Sequence, residues 1–220
     1  MANVVATIAG QRPDRIVLVS HFDTKLFTAF RFVGASDGAS STAALIELGR
    51  VIKARPRLPF TVELLFLDGE EAVGEWRGTD NTYGSRFYVD AARKTGALTS
   101  IKALILLDMI GDRNLNMQRE ANSAPWLTDI IWNTAKRLGH QTHFLDQSTP
   151  IEDDHIPFVR AGVAAVDLID LDYPVWHTAT DTLDQVSARS LLVVGDVVVA
   201  ALPEIEQRLL KTEPAPAPYR

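Results

Sequence analysis

The chain has 220 residues, 46% of them hydrophobic, which suits one α/β domain with a large core. With 28 acids against 22 bases its net charge is −6 and no basic run stands out, so nucleic acid is not an expected partner. There is no cysteine, which removes disulfides and thiolate metal ligands, and no apolar run approaches the ~20 residues of a membrane span.

The N-terminus MANVVATIAG lacks the basic start and long apolar core of a signal peptide. The sequence therefore assigns no compartment, and a leader trimmed from it would fit secretion or a periplasmic location. Residues 16–20 then read as a buried strand, and residues 61–68 and 103–108 read the same way. Between the first two, residues 40–55 place Leu45, Leu48 and Ile52 on one helical face, with Pro56 as a stop. Residues 84–94 predict a short helix. Ser123 is the expected cap of a helix running to Leu138, with Gly139 ending it. Residues 154–160 predict a short helix or turn closed by Gly162, and residues 163–169 another strand. Ser187 should cap a long final helix to about Leu210, which Pro203 should kink or divide. No internal repeat and no dividing linker appears. Residues 1–211 are therefore expected as a single domain, and the proline-rich residues 212–220 as a disordered tail. Strands alternating with helices imply a mostly parallel sheet with helices on both faces, an α/β/α arrangement.

Acids and histidines follow the apolar runs: His21 and Asp23, Asp37, Glu70 and Glu71, Asp108, Asp153 and Asp154, and His177. Residues just past the carboxyl ends of strands in an open α/β sheet meet in one crevice. Two imidazoles and several carboxylates there make a ligand set for zinc. Glu70–Glu71 is the sharpest local signal, because adjacent carboxylates repel unless a cation separates their roles; one can bind metal while the other moves protons. The plain alternative is a solvated turn.

His21 and Asp23 fall on one side of a strand end, where the carboxylate can orient the imidazole, or both can simply be solvated. Asp37, between Gly34 and Gly38, points into the crevice or caps the helix that follows. Asp108 ends the most apolar strand, a costly place for an unpaired carboxylate, though it can also cap a neighbouring loop. His177 is an ordinary loop histidine unless the crevice claims it, and Trp176 beside it offers a flat apolar wall. His140 and His143 are expected at the surface, and His155 as structural. No cysteine, no GxSxG elbow and no phosphate-binding glycine loop is present.

The stretches NVVATI, SHFDTKLF, FVGASDGAS, FLDGEEAVGEW, YGSRF, LILLDMIG, EDDHIPFVRAGV and VWHT together resemble the zinc-dependent M28 peptidase clan. DGEEA, DDHIPF and VWHT resemble more narrowly its glutaminyl-peptide cyclotransferase (glutaminyl cyclase) branch. The resemblance implies a three-layer α/β/α sandwich with a mostly parallel mixed sheet. It implies one zinc held by Asp37, Glu71 and His177, and Glu70 as the acid/base. Asp108 and Asp153 fall at the family's hydrogen-bonded acids, and Trp76 and Trp176 at its substrate-side tryptophans. Peptidases of the clan bind a second zinc through positions matching His21 and Asp108, and both residues are present. Animal cyclases carry a histidine where this chain has Asp167, expected beside the substrate; the acid points to a bacterial-type enzyme. The family's usual N-terminal helical segment is missing from this sequence, which implies a more open site.

Three functions follow from the resemblance. A cyclase converts an N-terminal glutamine to pyroglutamate and releases ammonia. An aminopeptidase with one or two zinc ions hydrolyses the first peptide bond. A silent scaffold or receptor on the same fold predicts lost ligands or a lost base, and none is lost. Expected partners are peptide or protein N-termini acting as substrate, and the chain is expected as a monomer.

Overall fold

A computed structural model describes residues 1–212. Its elements follow in the order β1 (Val4–Ile8), β2 (Arg12–His21), α1 (Ala39–Lys53), β3 (Phe60–Leu67), α2 (Tyr83–Thr95), β4 (Ile101–Asp108), β5 (Met117–Glu120), α3 (Pro125–Arg137), β6 (Phe144–Thr149), α4 (His155–Arg160), β7 (Ala165–Ile169) and α5 (Ala188–Thr212). Five strands form one sheet in the order β1-β3-β2-β4-β7; β1 is antiparallel to β3 and the other pairs are parallel. β5 and β6 pair in parallel as a small separate sheet next to β7.

The apolar runs of β2 and β4 are continuous because both faces of these strands are covered. Ile16 and Leu18 pack with α1, α3 and α5 on one face. Val17 and Val19 pack with Val89 of α2 and Phe158 of α4 on the other. This is the three-layer α/β/α sandwich with a mostly parallel mixed sheet that the sequence implied.

From β2 the chain crosses through α1 to β3 on one side, then returns past β2 to β4 on the other. The direction of winding therefore reverses between β2 and β4. The loops leaving β2, β3, β4 and β7 open there at the carboxyl end of the sheet, the usual ligand position of such folds.

Several local expectations change. Ser123 does not cap α3, which starts at Pro125 after Ala124 with no side-chain cap; a proline at the first helical position has no N–H to satisfy. Ser123 instead donates to Glu120 Oε2 at 2.9 Å and accepts from the Asp167 N–H at 3.1 Å. Pro203 does not divide α5, which is continuous to Thr212. The ring leaves the carbonyl of Val199 without its helical donor, and Arg55 Nη1 supplies one at 3.0 Å. Strands β1, β5 and β6 carried no readable signal. Val4 and Val5 are exposed on an edge strand, and MQRE and FLDQST are too polar to show a buried face. Thr212 is helical, and the rest of the expected disordered tail lies outside the described residues.

Candidate active site

Each side chain of the site is fixed by the loop that carries it. His21 ends β2 and is 1% exposed. Two residues on, the Asp23 carboxylate accepts the backbone N–H groups of Glu70 and Glu71, at 3.1 Å each. Asp23 Oδ1 also lies 3.7 Å from His21 Nδ1. The acid therefore ties the β2 and β3 loops together as well as flanking the imidazole.

Asp37 precedes α1, but the helix has no side-chain cap and Gly38 stands at its N-terminus; the acid is left for the crevice. Gly38 has φ 84, and a Cβ there would stand 2.7 Å from the Asp23 carbonyl oxygen and 3.1 Å from His21 Cε1. Only glycine meets both the conformation and the close approach. The Asp181 carboxylate holds this loop from below, accepting the N–H groups of Ser36 and Asp37 and the Tyr173 hydroxyl at 2.9, 3.3 and 2.6 Å.

Among the described residues, three non-glycine residues have positive φ: Thr82, Met109 and His177, at 45°, 47° and 54°. All three adjoin the site. Thr82 donates its N–H to the Glu70 carbonyl at 2.8 Å, Met109 follows Asp108, and His177 belongs to the site itself. Left-handed backbone at bulky residues costs energy, and it is concentrated here.

The imidazoles stand on either side of Asp37. His21 Nε2 lies 3.4 Å from Asp37 Oδ1 and 3.0 Å from Asp108 Oδ1. His177 Nε2 lies 3.2 Å from Asp37 Oδ2 and 3.0 Å from Glu71 Oε1. The His177 ring is held by Trp176 at 4.5 Å between centroids and by the edges of Phe27 and Phe32 at 5.6 and 5.8 Å.

Ligand atoms of Asp37, Glu71 and His177 lie within 4.8 Å of one another, as do those of His21, Asp37 and Asp108, so Asp37 is common to both groups. Asp37 Oδ2 and Glu71 Oε2 are buried and have no hydrogen-bond donor. Acceptors buried in this way beside an imidazole fit a cation. Two carboxylates and one imidazole match the oxygen and nitrogen donors of a catalytic metal site with an open position.

The electrostatics follow from crowding acids into a buried space. Burial disfavours the charged form of His177, but Asp37 and Glu71 outweigh it and raise its pKa to about 9. Burial likewise opposes the charge on His21, and Asp108, Asp23 and Asp37 raise it well above the usual histidine value. Burial would raise Asp37, yet the two imidazoles hold it below the carboxylate range. Glu70 goes the other way. Burial raises it well above the ordinary glutamate value, His21 opposes, and Asp153, Asp154 and Asp108 add to the rise. Burial and Asp108 push Asp153 up to about 6.

Asp37, Glu70, Glu71, Asp108, Asp153 and His177 line a cavity of about 500 Å³. Trp76 and Trp176 stand at its walls, 39% and 45% exposed, so they form its open side. Of the residues singled out from the sequence, His21, Asp23 and Asp154 stand behind the lining, and Asp167, expected beside the substrate, does not reach the cavity either. It is completely buried, within 4.8 Å of polar atoms of Asp153 and His155, and lies 3.6 Å from His155 Nδ1. The expectation of direct substrate contact is corrected accordingly, because Asp167 lies within the fully buried strand β7 and not among the residues lining the cavity.

Sequence reasoning missed Glu120 and Asp181, and gave Asp154 no role and His155 no partner. Glu120 and His155 meet at 3.0 Å, both buried. The Ser85 hydroxyl donates to Asp154 Oδ1 at 2.5 Å. The signal available in the sequence was the run Glu152-Asp153-Asp154-His155 before a helix; the partners across the fold carried none.

Comparison with known proteins agrees with this geometry. A glutaminyl-peptide cyclotransferase-like protein from Bos taurus is 35% identical over 211 residues, covering 82% of this chain and 54% of its own length. The chain spans about half the length of the curated relatives it matches. The crystal structure of an Acidobacteriales bacterium glutaminyl cyclase superposes with TM-score 0.91 at 42% identity, covering 94% of this chain and 74% of that one. A leucine aminopeptidase precursor from Bacteroides thetaiotaomicron superposes with TM-score 0.79 at 28% identity, covering 90% and 75%. Residues 3–202 match peptidase family M28, and the chain belongs to that family.

Proposed function

We propose that this chain is a glutaminyl-peptide cyclotransferase acting on peptide or protein N-termini, with residues 1–211 as its catalytic domain. The observation that carries the reading is the position of Glu70. It lines one cavity together with the candidate metal ligands Asp37, Glu71 and His177, the acids Asp108 and Asp153, and the walls Trp76 and Trp176. Similarity to glutaminyl cyclases supports it.

Asp37, Glu71 and His177 would hold zinc, which when bound supplies Lewis-acid polarisation of an amide carbonyl. The remaining chemistry belongs to the chain. The cavity walls bring the α-amine of an N-terminal glutamine against its own γ-carbon, and holding both reacting groups on one residue lowers the entropic barrier. Glu70 accepts a proton from the attacking amine and returns it to the departing nitrogen. The new N–C bond closes the ring, the γ-C–N bond breaks, and pyroglutamyl peptide and ammonia leave. Asp108 and Asp153 hold the amide through hydrogen bonds, with Asp167 acting through Asp153. Trp176 excludes water from one side.

A second reading is a zinc aminopeptidase. It is favoured by Asp37 being common to two ligand groups, the second completed by His21 and Asp108, and by similarity to a leucine aminopeptidase precursor. The experiment is to incubate zinc-loaded protein with a Gln-peptide and a Leu-peptide and weigh the products. Loss of one ammonia from the Gln-peptide, with the Leu-peptide intact, supports the cyclase. Release of free leucine or glutamine without that loss supports the peptidase.

A further inference from the structure

We infer that Glu120 and His155 are positioning residues for the cavity acid Asp153, which they reach through a buried polar cluster: atoms of Asp153, His155 and Asp167 lie within 4.8 Å of one another. Neither touches the cavity: Glu120 ends β5 and His155 begins α4, and they are 3% and 0% exposed.

Glu120 is the anchor. Its Oε1 accepts the N–H groups of Asn122 and Ile151 and the Asn122 side-chain amide, at 2.9, 3.0 and 2.8 Å. Its Oε2 accepts the Ser123 hydroxyl at 2.9 Å and lies 3.0 Å from His155 Nε2. Burial disfavours its charge, but this ring of donors holds its pKa down to about 2. An ionised carboxylate only accepts, so His155 Nε2 carries the hydrogen. The other ring nitrogen of His155, Nδ1, lies 3.6 Å from Asp167 Oδ2. Asp167 packs in turn beside Asp153, and burial together with the neighbouring acids Asp153, Asp108 and Glu120 raises its pKa well above the ordinary aspartate value.

Two further ties make Glu120 specific to the cavity wall. Ile151, bonded to Glu120 through its N–H, lines the cavity together with Asp153. The Ser123 hydroxyl links Glu120 to the Asp167 backbone. Glu120 therefore grips the wall at residues 151–153 both directly and through the imidazole. Such a group of buried acids is a costly way to fill space, since apolar residues of similar volume serve stability as well or better. What it supplies is a fixed direction for the Asp153 carboxyl.

The kinetic test rests on the cyclase reading. Glu120→Gln puts an amide donor against groups that all donate, and His155→Gln breaks the cluster one link later. In either variant kcat for Gln-peptide cyclisation should fall by ~10–100-fold, with KM within about threefold and zinc content unchanged. In an Asp153→Asn background, assayed at raised enzyme concentration, Glu120→Gln should change kcat by less than about twofold, because its effect passes through Asp153. Wild-type kcat in Glu120→Gln, or an equal loss in both backgrounds, overturns the inference. If the wild type makes no pyroglutamyl product, the cyclase reading fails and imidazole NMR decides the cluster. A slowly exchanging His155 Nε2–H should be present in the wild type and Asp153→Asn and lost in Glu120→Gln; its absence from the wild type overturns the cluster itself.

Discussion

Glu71 and His177 are 106 positions apart in the chain, and their Oε1 and Nε2 atoms meet at 3.0 Å. One leaves β3 and the other follows β7, and His177 reaches the meeting point through backbone at φ 54. The energy this costs is offset only if the contact, or an ion between the two groups, is favourable. His177→Ala removes the single imidazole of the Asp37, Glu71 and His177 group. Zinc content measured by elemental analysis should drop from about one per chain to a small fraction of that. Full retention of zinc would rule the assignment out.

Glu70→Gln keeps the shape of the side chain and its backbone hydrogen bonds. It removes the group that takes and returns a proton. Zinc content should stay at the wild-type level while kcat falls by ~10²–10⁴. Retention of most of the activity would remove Glu70 from the acid/base role.

Asp23 joins two loops through the N–H groups of Glu70 and Glu71. Asp23→Ala leaves both donors without their acceptor. Unfolding by denaturant should show a loss of about 1–3 kcal/mol, with kcat reduced because Glu70 and Glu71 both move. A variant with wild-type stability and turnover would mean the loops hold without this tie.

Glu120 titrates at about 2 in the folded chain, against an ordinary value of 4.5. A depressed carboxylate contributes stability that is fully present above its unfolded pKa and lost as pH falls through its folded one. The contribution here is about 3 kcal/mol. The stability gap between wild type and Glu120→Gln should therefore be largest above about pH 4.5 and shrink towards pH 2. Denaturant titrations at pH 7 and pH 3 check this; a gap independent of pH contradicts it.

Pro203 is exposed within α5, and Arg55 already serves the carbonyl it frees. Pro203→Ala restores a helical donor and removes the ring clash, so stability should rise by about 1–2 kcal/mol, less than the ~3 kcal/mol of an uncompensated proline. Arg55→Ala should lower the melting temperature in the wild type more than in Pro203→Ala. The reverse order would show that Arg55 does not serve Val199.

The amino-acid sequence by itself determined the buried strands β2, β3 and β4, the helices α1 and α2, and which loops carry His21, Asp37, Glu70, Glu71, Asp108, Asp153 and His177. These are local properties: apolar runs and helical periods are written in neighbouring residues, and an acid just after a strand is visible as such. Only the tertiary structure decided that Asp37 stands between two imidazoles and that Asp23 binds the β3 loop. It also buried Asp167 away from the cavity, and let Arg55 keep α5 whole at Pro203. Each of these joins residues from different elements, and their meeting depends on strand order, on the reversal between β2 and β4, and on loop backbone at positive φ. The Glu120–His155 pair is the clearest case: a polar four-residue strand and a buried histidine 35 positions later carry no mutual signal until β5 is laid beside β7.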